Sequence, residues 1–171
     1  MSGATDFDFL HGKWRVRHRR LRDRGAGSTA WDEFEGTAET RPLLGGQCNI
    51  EEHSIPGEKG FSGIALRTFD PLLKLWSIYW ISRRTGHLEP PVVGSFADGI
   101  GRFEGADRDG DRPIEVRFIW DRTDPGAPRW EQFFSYDDGR SWEWNWTMDF
   151  HRLPRVRSPR GLTMKKYQKA E

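Results

Sequence analysis

The sequence predicts an all-β domain: an antiparallel up-and-down barrel of about ten strands behind a short N-terminal helical turn. Three observations predict it. Strand-like runs alternate with Gly-, Pro- or Asp-rich breaks along the whole stretch from Gly12 to Arg152. No segment past residue 11 keeps a helical apolar period for ten or more residues. The chain also holds 9 Trp and 11 Phe beside 19 Gly and 10 Pro, heavy inner faces joined by many turns.

Residues 1–11 read as a lead-in, with Phe7, Phe9 and Leu10 able to form a turn of helix that plugs one end of the body. The strand candidates are then 13–22, 29–40, 46–55, 61–69, 74–83, 87–96, 100–106, 112–121, 128–136 and 142–152. Their joints are short and carry turn chemistry, as at Leu44-Gly45-Gly46, Pro56-Gly57, Asp98-Gly99 and Asp109-Gly110. Strands joined this way pair with their neighbours as a meander, and closing it removes the exposed edges. A sandwich would need longer crossovers. The domain is assigned to residues 1–152, and 153–171 is a basic, flexible C-terminal tail.

Period-two alternation then assigns faces. The first strand sets Trp14, Val16 and His18 against Lys13, Arg15, Arg17 and Arg19. In the third, apolar Cys48 and Ile50 favour an inward Glu52 over an inward Glu51 and His53 with Asn49. In the fourth, Arg67 shares a side with Gly63, Ala65 and Phe69, and either side can face in. Strands five, eight and nine offer Trp80, then Phe118 and Trp120, then Trp130, Gln132 and Phe134. The last strand places Trp142, Trp144, Trp146, Met148 and Phe150 on one side. That much aromatic surface belongs in a core, a cavity wall or a homodimer contact with a second subunit.

The turn before the last strand, Ser135-x-Asp137-x-Gly139-x-Ser141-Trp142, is similar to the Asp-box hairpin of sialidases. There a carboxylate accepts backbone N–H bonds, Gly takes the positive-φ position and Trp packs beneath. A propeller repeats this box, whereas here it occurs once, so it reads as a hairpin staple.

Gly12-Lys13-Trp14 together with Arg152 resembles the calycin pattern of lipocalins and fatty-acid-binding proteins, a G-x-W with a late Arg laid over the indole. A wider set resembles a bacterial calycin-like domain family of unknown function. It comprises Phe7 to Trp14, Gly45-Gly46, Gly60 to Gly63, Phe69-Asp70, Trp76 to Trp80 and Ser135 to Trp142. That resemblance implies a barrel and brings no reaction with it. The haem-binding nitrobindins have a similar start, with a proximal His in a late H-L-x-x-x-x-R-like element. Here His151 directly precedes Arg152, a departure from that spacing.

Composition excludes several classes. The tail carries six basic groups and one acid, leaving residues 1–152 with 21 basic and 25 acidic groups, a poor nucleic-acid surface. The single Cys48 allows no internal disulfide. No basic start leads into an apolar run, and no stretch approaches the ~20 apolar residues that span a membrane, so a cytoplasmic location is expected. There is no C-x-x-C, H-x-H, H-E-x-x-H or G-x-S-x-G, and no metal or other cofactor is expected.

The leading expectation is a small-molecule binder with an apolar or planar ligand held by His18, Trp80, Phe118, Trp120, Trp130, Gln132, Phe134, Trp144 and Trp146. The alternative is a cofactor-free isomerase, cyclase or decarboxylase in the same cavity. It would use His18 or Glu52 as acid/base, with Arg67 or Gln132 holding an anionic intermediate. Haem binding is third. Gly12, Trp14, Asp137, Gly139, Trp142 and Arg152 are expected to be structural.

Overall fold

The computed structural model describes residues 2–57 and 60–154. A 3-10 turn at Asp8–Leu10 leads into β1 (Gly12–Leu21), β2 (Trp31–Leu43), β3 (Cys48–Ser54), β4 (Ser62–Asp70) and β5 (Leu75–Ser82). These are followed by β6 (Val92–Ala97), β7 (Ile100–Asp109), β8 (Arg112–Asp121), β9 (Arg129–Ser135) and β10 (Glu143–Arg152). Each strand pairs antiparallel with the next, and β1 also pairs with β10, so the barrel closes. The 87–96 run shrinks the most. Pro90 and Pro91 lack the N–H that a ladder needs, so β6 starts at Val92 and Leu88 keeps only a bridge to Ile81. Residues 155–171, most of the expected tail, lie outside the described residues. No helix among the described residues is long and apolar enough to cross a membrane.

The lead-in fills one end. Phe7 is fully buried and meets Trp76 and Phe96 edge-on, with ring centroids 5.0 Å apart in each case. Burying one such ring contributes roughly 1.5–3 kcal/mol. Arg122 ties the plug down, donating to the Asp6 carbonyl at 2.6 Å and to its carboxylate at 3.0 Å.

Beside the plug, Arg152 lies 4.0 Å over the Trp14 ring and donates to the carbonyls of His11 (2.8 Å) and Phe9 (2.7 Å). The Trp14 indole N–H donates to the Leu10 carbonyl at 2.6 Å. Gly12 has a φ of +115°, and a Cβ there would come within 3.2 Å of an Arg152 nitrogen. The spacing of Gly12, Trp14 and Arg152 is therefore an end seal built from a cation, an indole and lead-in carbonyls.

The β9–β10 hairpin forms the expected staple. Asp137 accepts from the Ser141 N–H (2.8 Å) and from the hydroxyls of Ser135 (2.9 Å) and Ser141 (2.6 Å). Gly139 sits at φ +79°, and the Trp142 indole donates to its carbonyl at 3.1 Å.

The strand that follows corrects the expected alternation. Trp144 pairs with Phe133, but Trp146 pairs with Gln132, so Asn145 is an extra residue in a β-bulge. The bulge shifts the period by one. Trp146, Met148 and Phe150 face the interior, while Trp144 packs against Trp31 (5.1 Å) with the Arg19 guanidinium nearby (5.8 Å). Trp142 carries the Arg117 guanidinium 3.6 Å over its ring.

Candidate functional site

Four consecutive strands, β1 to β4, place a layer of polar side chains across the middle of the barrel. Register pairs Asn49 with Arg67, Glu51 with Ala65 and Thr40, and His53 with Gly63 and Ala38. Small residues thus stand opposite Glu51 and His53. At Gly36 a Cβ would come within 2.8 Å of the Ser54 carbonyl oxygen and 3.2 Å of His18 Nε2, so glycine there leaves room for the imidazole. His18, Asn49, Glu51, His53 and Arg67 are each no more than 2% exposed, so the layer must satisfy itself.

Apart from the Arg67 Nε–H, which has no partner among the described residues, it does so as one hydrogen-bonded chain. The Trp146 indole N–H donates to His18 Nδ1 (3.2 Å), and His18 Nε2 meets His53 Nε2 (3.1 Å). His53 Nδ1 meets one Glu51 oxygen (3.1 Å), while the other accepts from Arg67 (2.8 Å) and Thr40 (3.3 Å). Arg67 also donates to Asn49 at 3.0 Å. An indole N–H can only donate, so His18 Nδ1 carries a lone pair and His18 Nε2 carries the proton. His53 Nε2 then accepts, and its Nδ1–H donates to the carboxylate. Both tautomers follow from the indole donor at one end and the carboxylate acceptor at the other.

The charges follow too. Burial pushes His18 down to about 3, and His53 and Arg20 add to the fall. Burial alone would raise Glu51, but the Arg67 charge and the His53 hydrogen bond outweigh it and hold the carboxyl at about 2. Across the neutral range His18 is neutral and Glu51 ionised, a set of fixed dipoles.

Above this layer, toward the end opposite the plug, the barrel opens into a cavity of about 1110 Å³. Trp80, Phe118, Trp130, Phe134, Trp146 and Met148 line it, and the polar layer forms its floor. Trp130 packs on Phe118 (4.8 Å) and Trp146 (5.9 Å), a continuous aromatic wall. Gln132, also lining, donates to the bulge residue Asn145 at 2.9 Å. At the mouth Arg20 lies over Trp146 (5.0 Å), and Arg24 over Phe134 (5.3 Å) with an ion pair to Asp109 at 3.1 Å.

Of the site residues expected from sequence, His18, Trp80, Phe118, Trp120, Trp130, Gln132, Phe134 and Trp146 all line this space, with Arg67 in its floor. Trp120 reaches it from the plug end, where it packs at 5.3 Å from Phe150. Two expectations are corrected. Trp144 stands outside the wall because of the bulge. Glu52 is exposed, since β3 turns Asn49, Glu51 and His53 inward. Apolar neighbours misdirected that facing: Ile50 is only half-buried, and the inner side is the polar one.

Thr40, Arg20 and Arg24 were not among the expected site residues, and Asn49, Glu51 and His53 stood only as the disfavoured inward face of β3. The signal for three of them was the polar triplet Asn49-x-Glu51-x-His53, which shares one strand face. Among the interior residues described, His18 and His53 have both ring nitrogens engaged and His151 is exposed, so this donor set does not fit an axial haem ligand. No known protein family matches this chain, and no curated protein does.

Proposed function

We propose that the chain is a calycin-type barrel that binds a small planar or largely apolar molecule between Trp80, Phe118, Trp130 and Trp146. The observation that carries this reading is the open cavity of about 1110 Å³ with aromatic walls and a polar floor. Small-molecule sites run to roughly 300–1,000 Å³ and combine apolar walls with a few polar groups.

The enzymatic reading has one observation in its favour, the chain Arg67–Glu51–His53–His18–Trp146. A general acid or base works best with a pKa near the working pH, and His18 at about 3 and Glu51 at about 2 lie far below it. The chain is better suited to holding Trp146 in place than to moving protons.

The test is a screen of aromatic acids, quinones, fatty acids and haem by saturable quenching of tryptophan fluorescence, repeated by calorimetry. The expected affinity is micromolar, about −8 kcal/mol. Trp146→Ala and Phe118→Ala should weaken binding, while Trp144→Ala, outside the wall, should not. Equal loss with Trp144→Ala and none with Trp146→Ala would place the ligand outside the barrel and sink the proposal.

A further inference from the structure

The charges around the cavity are not those of the body. Residues 1–152 hold 21 basic and 25 acidic groups, a net of −4. The described residues lining the cavity reverse that sign. Arg20, Arg24, Arg67, Arg83, Arg84 and Arg108 face Glu51, Glu89, Asp107 and Asp109, a net of +2 from these side chains. In the floor Arg67 and Glu51 pair with each other at 2.8 Å, so the surplus belongs to the mouth.

The mouth is also divided. The acids are partly committed: Asp109 accepts from Arg24 (3.1 Å) and from the Tyr136 hydroxyl (2.9 Å), and Asp107 from the Arg108 N–H (2.8 Å). On the β1 side, Arg20 and Arg24 stand together over the rings of Trp146 and Phe134. Burial disfavours the charge of Arg20, the like charge of Arg24 adds to that, and Asp32 offsets only part of it. Two cations crowded at an aromatic wall are relieved by an anion that arrives with its own ring.

We propose that the ligand of this cavity is an aromatic anion, a carboxylate or an equivalent acid. Its ring lies against Trp146 and Phe118, and its charge is held at the mouth by Arg20 and Arg24. The inference rests on the cavity reading above and adds the ligand's charge and orientation. A planar guanidinium can bond a carboxylate through two N–H groups, and such charge-assisted bonds are the stronger class. A cationic aromatic would meet the same two guanidinium groups as repulsion.

The experiment compares anthracene-9-carboxylate, anthracene-9-carboxamide and 9-(aminomethyl)anthracene by calorimetry on the full chain at low and high salt. The acid should bind roughly tenfold or more tighter than the amide at low salt, and the gap should narrow as salt is added. The amine should bind weakest. Arg20→Gln should close most of the gap between acid and amide. Arg102→Gln, which removes the same charge from an exposed position on β7, should leave it unchanged. These comparisons need no variant for their first result, so a misfolded Arg20→Gln would not blunt them. Equal binding of acid and amide, or tighter binding of the amine, would overturn the anion assignment and leave the cavity reading standing. Failure of all three compounds to bind would overturn the cavity reading and the anion assignment with it.

Discussion

Acid should unfold this protein through one imidazole before it reaches most of the carboxylates. His18 is 1% exposed, lies between the Trp146 indole and His53, and is pushed from 6.5 to about 3. The unfolded chain binds a proton there below pH 6.5, while the folded chain refuses it until about 3. The unfolded state therefore holds more protons in that window, and stability rises with pH and is lost as pH falls. Integrated from pH 6 down to pH 4, one such group removes about 2–3 kcal/mol. Its burial leaves no solvent screening to discount. The assay is urea unfolding of the wild type and of His18→Gln at half-unit steps from pH 4 to 8, comparing slopes rather than absolute stabilities. The wild type should lose that much more than the variant between pH 6 and 4. Nitrogen-15 NMR should find His18 as the Nε2–H tautomer and His53 as the Nδ1–H tautomer at pH 7. Parallel pH profiles, or a His18 resonance titrating near pH 6.5, would refute the buried-chain argument.

Two further perturbations test the interior and the end seal. Arg67→Met leaves the Glu51 carboxylate buried without its cation and should cost about 3–5 kcal/mol, and adding Glu51→Gln should recover much of it in the same urea assay. Recovery of nothing would mean that Arg67 acts through packing on Phe7 and Trp120, not through its charge. Trp14→Ala should cost about 3–5 kcal/mol, since the ring is fully buried. A cycle with Arg152→Ala should show a coupling of about 0.5–1 kcal/mol for the stacked pair, and strict additivity would argue against it.

Strand number, order and approximate limits were legible in the sequence, because alternation and turn residues are local properties of the chain. The plug was legible for the same reason: Phe7 and Leu10 precede the first strand with no other surface to cover. The seal was legible because Gly12, Trp14 and Arg152 each have one strong preference, for positive φ, for burial and for an aromatic face.

The facing of β3 and β10 was not legible. Alternation gives two faces and leaves open which one is inner, and on β3 the rule that apolar residues go inside pointed to Cys48 and Ile50. The rule failed because Asn49, Glu51 and His53 are satisfied by groups on other strands, His18, Thr40 and Arg67. None of the triplet's own neighbours in sequence reveals those partners. On β10 one bulged residue, Asn145, turned Trp144 out and kept Trp146 in. A bulge is a property of a strand pair, and its position is settled by what β9 sets opposite. The closed barrel decided both, because only there do side chains 35 residues apart, His18 and His53, come to share a proton.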